Sequence, residues 1–211
     1  MAFWSVILTG LIFLWELFKD WLALFISPFK NPEILWIIIP IWISWFFAEF
    51  FQEKKGTSFG NAISNGIIPI FIGIDWTRYL TNQLTTNIIK WSYIVIIKYS
   101  LSGLMIIYGF SIVFFGIKAR QFVHFYGRIR EVTYVLLVFS PIVYNIVELN
   151  WKFLLGIVLF FPLYYYLIEF INRQTPNPKI YQYDEGQQPG QQSAWKLNAS
   201  SNFRKPPYKL P

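Results

Sequence analysis

Cysteine is absent and histidine occurs once, as His124. Without thiols there are no disulfides, thiolate–metal sites, cysteine nucleophiles or cysteine-held iron–sulfur clusters. A single histidine with no sulfur ligands beside it cannot build a transition-metal centre, so no cofactor is expected. Charge is scarce as well. Only 14% of the 211 residues are Asp, Glu, Lys or Arg, against about 25% in soluble domains. Catalytic patterns are missing too. Ser64-Asn-Gly66 supplies half of a nucleophile elbow, but Ala62 replaces its leading glycine and no strand precedes it. No glycine-rich loop with a following lysine is present to cradle phosphates. The chain therefore reads as a non-enzyme.

What fills the sequence instead is apolar. Hydrophobic residues make up 55% and aromatic ones 21%, and the mean hydropathy is +0.42. A soluble core of this size cannot hide so many Ile, Phe and Trp side chains. The expected fold is all-α: a polytopic integral membrane helical bundle of about six transmembrane helices, followed by an extended tail rich in Pro and Gln. The net charge of +7 would suggest nucleic acid in a soluble protein. Here no motif or basic face supports that, and basic residues accumulate in cytoplasmic loops of membrane proteins. The expected partners are the lipid bilayer and other membrane subunits, not nucleic acid.

Charge gaps and turn residues divide the chain into spans at about 3–27, 34–51, 59–75, 88–117, 132–148 and 153–171, a membrane domain over 1–171 with a tail over 172–211. The amino-terminal stretch has neither a basic leader region nor a small-residue cleavage site, and is read as a retained first span. Two prolines, Pro28 and Pro32, close it off. The third stretch holds Gly60, Asn61, Asn65, Gly66, Pro69 and Gly73. It is the weakest helix by composition, either a packed span or a broken, re-entrant element. Thr81 to Asn87 reads as a polar connection. The clearest span is the fourth, where no charge falls between Lys98 and Lys118.

Six spans place both termini on one side. Twelve of the 18 Lys and Arg fall there and four on the other, so both termini are expected in the cytoplasm, or on the matrix side of an organellar inner membrane.

Three groups of residues stand out. Glu49 and Glu53, at i and i+4, lie on one helix face near the end of the second span. With Asn65 and the intramembrane Lys98 they are candidates for pore or ion contact. The interfacial ion-pair reading and a snorkelling lysine are the bland alternatives. Lys118, Arg120, Arg128 and Arg130 form a basic loop with Phe122, Phe125 and Ile129 interleaved, which suits lipid headgroups. In the tail, Tyr181, Tyr183, Trp195, Phe203 and Tyr208 are spaced as anchors for docking on a neighbour.

The expectation from these features is a structural or accessory subunit of a membrane protein complex. The Ile, Phe, Asn, Lys and Tyr usage is that of AT-rich genomes, among them organellar ones that encode respiratory-complex subunits. The alternative is an oligomeric channel or passive solute pathway, with the glycine-rich third stretch as its constriction.

Overall fold

The computed structural model describes residues 2–54 and 56–176, which include one compact unit ending at Gln174. The tail anchors Tyr181, Tyr183, Trp195, Phe203 and Tyr208 lie outside the described residues. Among the described residues every regular element is helical. They are α1 (Ala2–Ile26), α2 (Pro32–Phe47), α3 (Phe59–Thr85), α4 (Tyr93–Ile117), α5 (Val123–Tyr126), α6 (Ile129–Val143) and α7 (Trp151–Gln174). A 3₁₀ turn, Ser27–Lys30, precedes α2, and a π turn, Ala48–Gln52, extends it. Three helical stretches are long and apolar enough to cross a membrane: Pro32–Gln52, Tyr93–Ile117 and Trp151–Gln174. Only 22 to 33% of each apolar window is buried within the chain. Their outer faces, with Trp36, Phe110 and Tyr166 among them, are bare. Such faces need lipid or a partner.

Polar residues place the helix starts. The Asn31 side chain accepts from Glu33 N–H with Pro32 at the first position, and Ser58 accepts from Asn61 N–H at 3.1 Å. Ser92 accepts from Val95 N–H, so α4 begins at Tyr93 and residues 88–92 lie outside it. α6 is capped from elsewhere: Glu53 Oε2 accepts Ile129 N–H at 3.1 Å, and a carboxylate there also suits the helix dipole. That external cap starts α6 earlier than the apolar run at Val132 suggests.

The glycine-rich stretch is not broken. α3 runs unbroken for 27 residues, about 40 Å at 1.5 Å per residue, and absorbs Thr81–Thr85 into its last turns. Within the extension the threonine hydroxyls are satisfied inside the helix: Thr77 and Thr81 donate back to the Gly73 and Thr77 carbonyls at 2.9 and 2.8 Å. The glycines explain the packing. A Cβ added at Gly109 would lie 2.5 Å from the Gly66 carbonyl, and one at Gly73 would lie 2.8 Å from the Ser102 carbonyl. Gly66 and Gly73 on α3 thus meet Ser102 and Gly109 on α4, a small-residue seam that brings two backbones together.

α6 sits at the centre, with twelve of its fifteen residues buried. Its Leu136 and Leu137 join Ile38, Ile41, Trp76, Leu80 and Met105 in one core cluster, and its Tyr134 and Val138 join Trp21, Ile157 and Tyr164 in another. α2, α3, α4, α6 and α7 alternate in direction between two ends of the bundle. One end brings together Glu49, Asn65, Gly127, Arg130 and Glu169. The other brings together Asp75, Tyr79, Lys98, Tyr144 and Asn145.

α1 does not follow that alternation. Phe13 stacks on Trp151, the Leu17 carbonyl lies beside Gly156, Trp21 contacts Phe160 and Phe25 stacks on Tyr164. Both sequences advance together, so α1 is parallel to α7. Six strictly alternating spans require the opposite sense.

Candidate functional site

The end of the bundle that carries Lys54 and Arg128 holds a buried ionic layer. Arg130, in the first turn of α6, is fully buried, as is Glu49 on the π turn. The Arg130 guanidinium donates to Glu49 Oε1 through both Nε (3.0 Å) and Nη2. Nη1 and Nη2 also donate to Glu169 Oε2 of α7 at 3.3 Å. The guanidinium plane lies over the Tyr165 ring, 4.6 Å from its centroid. Arg128 reaches the same Glu49 oxygen at 3.3 Å, and Arg173 pairs with Glu169 at 3.3 Å one turn along α7. Burying charge is costly unless the charges are paired and hydrogen-bonded; every guanidinium nitrogen of Arg130 meets that condition, whereas Glu49 is engaged through Oε1 alone and its Oε2 is buried without a partner.

Glu53 is also fully buried, one turn from Glu49. It accepts from Thr57 Oγ1 and Asn65 Nδ2, both at 2.6 Å, besides capping α6. Asn65 Nδ2 donates as well to the Gly127 carbonyl at 3.0 Å, tying α3 to the α5–α6 connection. His124 Nδ1 bonds the Thr57 carbonyl, and its ring lies 4.3 Å from that of Phe59. The histidine therefore clamps the α2–α3 turn to α5.

Five candidates that the sequence assigned to two different roles thus meet in one network: Glu49, Glu53 and Asn65 with Arg128 and Arg130. Lys98 lies elsewhere. It is buried near the opposite end of the bundle, where its Nζ donates to Asn145 Oδ1. Lys118 and Arg120 are exposed at the end of α4, with Lys118 Nζ 4.2 Å from the Phe114 ring centroid. Arg130 stands apart from them, inside the protein with protein partners on every side.

The opposite end has its own polar cluster. Asp75 accepts from Arg78 at 2.6 Å and from the Tyr144 hydroxyl, while Tyr79 donates to the Tyr144 carbonyl at 3.2 Å and lies against its ring. Sequence reasoning did not single out Asp75 and Arg78, which come at the end of the third apolar stretch. Tyr165 gave a weak signal too, since a tyrosine among tyrosines looks interfacial.

Chemically, the ionic layer offers no nucleophile beside a base. Among the described residues no group of three His, Cys, Asp or Glu side chains is placed to hold a metal ion. What it does offer is a lock that joins α2, α3, α6 and α7 at one end. Beside the lock, an open groove of about 770 Å³ is lined by Lys54, Arg128 and Arg173 together with Tyr165, Tyr166 and Glu169. No protein-family model, curated protein or solved structure matches this chain.

Proposed function

We propose that the chain is a non-enzymatic integral membrane protein acting as a structural or accessory subunit of a membrane complex. The observation that carries this reading is the contrast between its inside and its outside. Inside, Glu49, Glu53, Asn65, Lys98 and Arg130 are each engaged with other side chains. Outside, the faces of α1, α2, α4 and α7 carry bare Trp, Phe, Ile and Leu.

α1 supports a protein partner over lipid alone. Its register against α7 sets Glu16, Lys19 and Asp20 beside residues 155–160, some way past Trp151 at the start of a membrane-crossing helix. Glu16 and Lys19 are exposed there. Charges at that depth are costly in hydrocarbon, roughly 2.5–3.5 kcal/mol each at a helix centre, and a polar partner face offsets the cost.

Of the six apolar stretches, α2, α3, α4, α6 and α7 form five alternating crossings in this reading. α1 is a sixth element that enters from the end opposite Arg130. The carboxyl-terminal end of α7 lies with the basic residues, on the cytoplasmic or matrix side. The channel alternative loses its mouth, because Glu49 and Glu53 are turned inward and bound.

The test is the native mass of the gently extracted protein, with identification of whatever co-purifies. Stoichiometric unlike subunits are expected, displaced when Glu16 and Asp20 are both changed to Leu. A homo-oligomer without companions that conducts ions in liposomes overturns the proposal.

A further inference from the structure

The groove beside the ionic lock has features that the lock itself does not use. Three cations, Lys54, Arg128 and Arg173, face one carboxylate, Glu169. That carboxylate is already shared between Arg130 and Arg173, and the lining holds a surplus of cationic over carboxylate side chains. Glu53 does not reduce it from inside the groove, being turned toward Thr57, Asn65 and Ile129. Arg128 is the informative member. Its side chain is 16% exposed, and its one ionic partner is Glu49 Oε1, at 3.3 Å, which Arg130 holds more closely. Its Nε is buried with no hydrogen-bond acceptor. Arg128 lines the groove with the exposed part of a planar guanidinium, whose fork suits the oxygens of a tetrahedral oxyanion. Tyr165 and Tyr166 wall the groove, and Phe170 lines it one turn further along α7. The groove also lies at the bundle end where, in the proposed topology, headgroups of an anionic leaflet stand.

We propose that this groove is a phosphate site: Arg128, with Arg173 and Lys54, receives the phosphate oxygens of an anionic lipid headgroup or of free phosphate. Arg128 supplies the fork, and the other two cations neutralise the remaining charge. Lys118 and Arg120, exposed beyond α4, are not part of it.

The experiment uses the full chain. Retention of phosphatidylglycerol and of phosphatidylcholine is measured by native mass spectrometry after extraction from mixed vesicles. In parallel, inorganic phosphate is titrated against the melting temperature in neutral detergent. Preferential retention of phosphatidylglycerol is expected, weakened about tenfold or more in Arg128→Gln. Arg173→Gln and Lys54→Gln are each expected to reduce retention of phosphatidylglycerol by more than any change in the melting temperature in phosphatidylcholine accounts for. The double variant Lys118→Gln/Arg120→Gln retains lipid as the wild type does. If inorganic phosphate alone raises the melting temperature, and does so only with Arg128 present, the site serves free phosphate. If only the lipid acts, the source is the headgroup. Unchanged retention and no phosphate response in Arg128→Gln and Arg173→Gln overturn the proposal, and so does an equal loss in the Lys118→Gln/Arg120→Gln control.

Discussion

At the scale of single residues, Arg130 and Glu49 carry the most consequence. Each is fully buried, and each loses its closest ionic partner if the other is removed, keeping only a partner at 3.3 Å. Arg130→Leu is expected to destabilise the protein by about 3–5 kcal/mol, because the buried Glu49 carboxyl then has only Arg128, at 3.3 Å. The double variant Glu49→Leu/Arg130→Leu is expected to recover most of that loss, since an apolar pair of similar volume needs no desolvated charge. Denaturant titration in detergent measures both. A double variant no better than Arg130→Leu alone would show that the layer does not act as a pair. The residue types of this site were legible in the sequence, and so was their depth near one end of the spans. Their mutual pairing was not. Glu49 and Arg130 are 81 positions apart, and one sequence contains no signal for which carboxylate meets which guanidinium.

At the scale of elements, α3 is the instructive case. Its glycines weaken an isolated helix by about 1 kcal/mol each relative to alanine, which is why composition alone makes it the poorest helix in the chain. The same glycines are what let α4 approach. Gly109→Ala is expected to cost at least 1–3 kcal/mol by forcing the seam apart, since its Cβ would meet the Gly66 carbonyl and Ile70. Gly103→Ala, on the same helix with nothing within 4 Å of its added Cβ, is expected to be neutral or to stabilise by up to about 1 kcal/mol. Comparing their melting temperatures separates packing from propensity. Equal effects at the two positions would mean that the seam does not hold the hairpin. Gly66 and Gly73 stand seven apart, as do Ser102, Gly109 and Gly116, so the seam was present as a pattern. Its meaning depended on knowing that the two stripes face each other. The ends of α6 were hidden for a related reason, because its cap is a side chain from the α2–α3 turn.

At the scale of the whole molecule, the arrangement of α1 decides the topology. Hydropathy marks an apolar stretch but carries no direction, and placing both termini on one side followed from assuming that six spans alternate strictly. The parallel register of α1 and α7 places residue 5 at the end opposite residue 121. The cysteine-free chain is a ready background for testing this with a membrane-impermeant thiol reagent. Ser5→Cys and Glu148→Cys are expected to label from one side of the membrane and Gln121→Cys from the other. Labelling of positions 5 and 121 from the same side would restore six alternating spans. The α3–α4 seam has a further consequence, for biosynthesis. α3 is not one of the three stretches apolar enough to cross on composition, and it carries Asn61, Asn65, Asp75 and Arg78. α4, made immediately afterwards, is among those three. In the proposed topology, entry of α3 into the bilayer is expected to wait on the synthesis of α4, the two going in as a hairpin. A ribosome stalled before Tyr93 would hold a nascent chain whose third helix is still waiting outside the hydrocarbon.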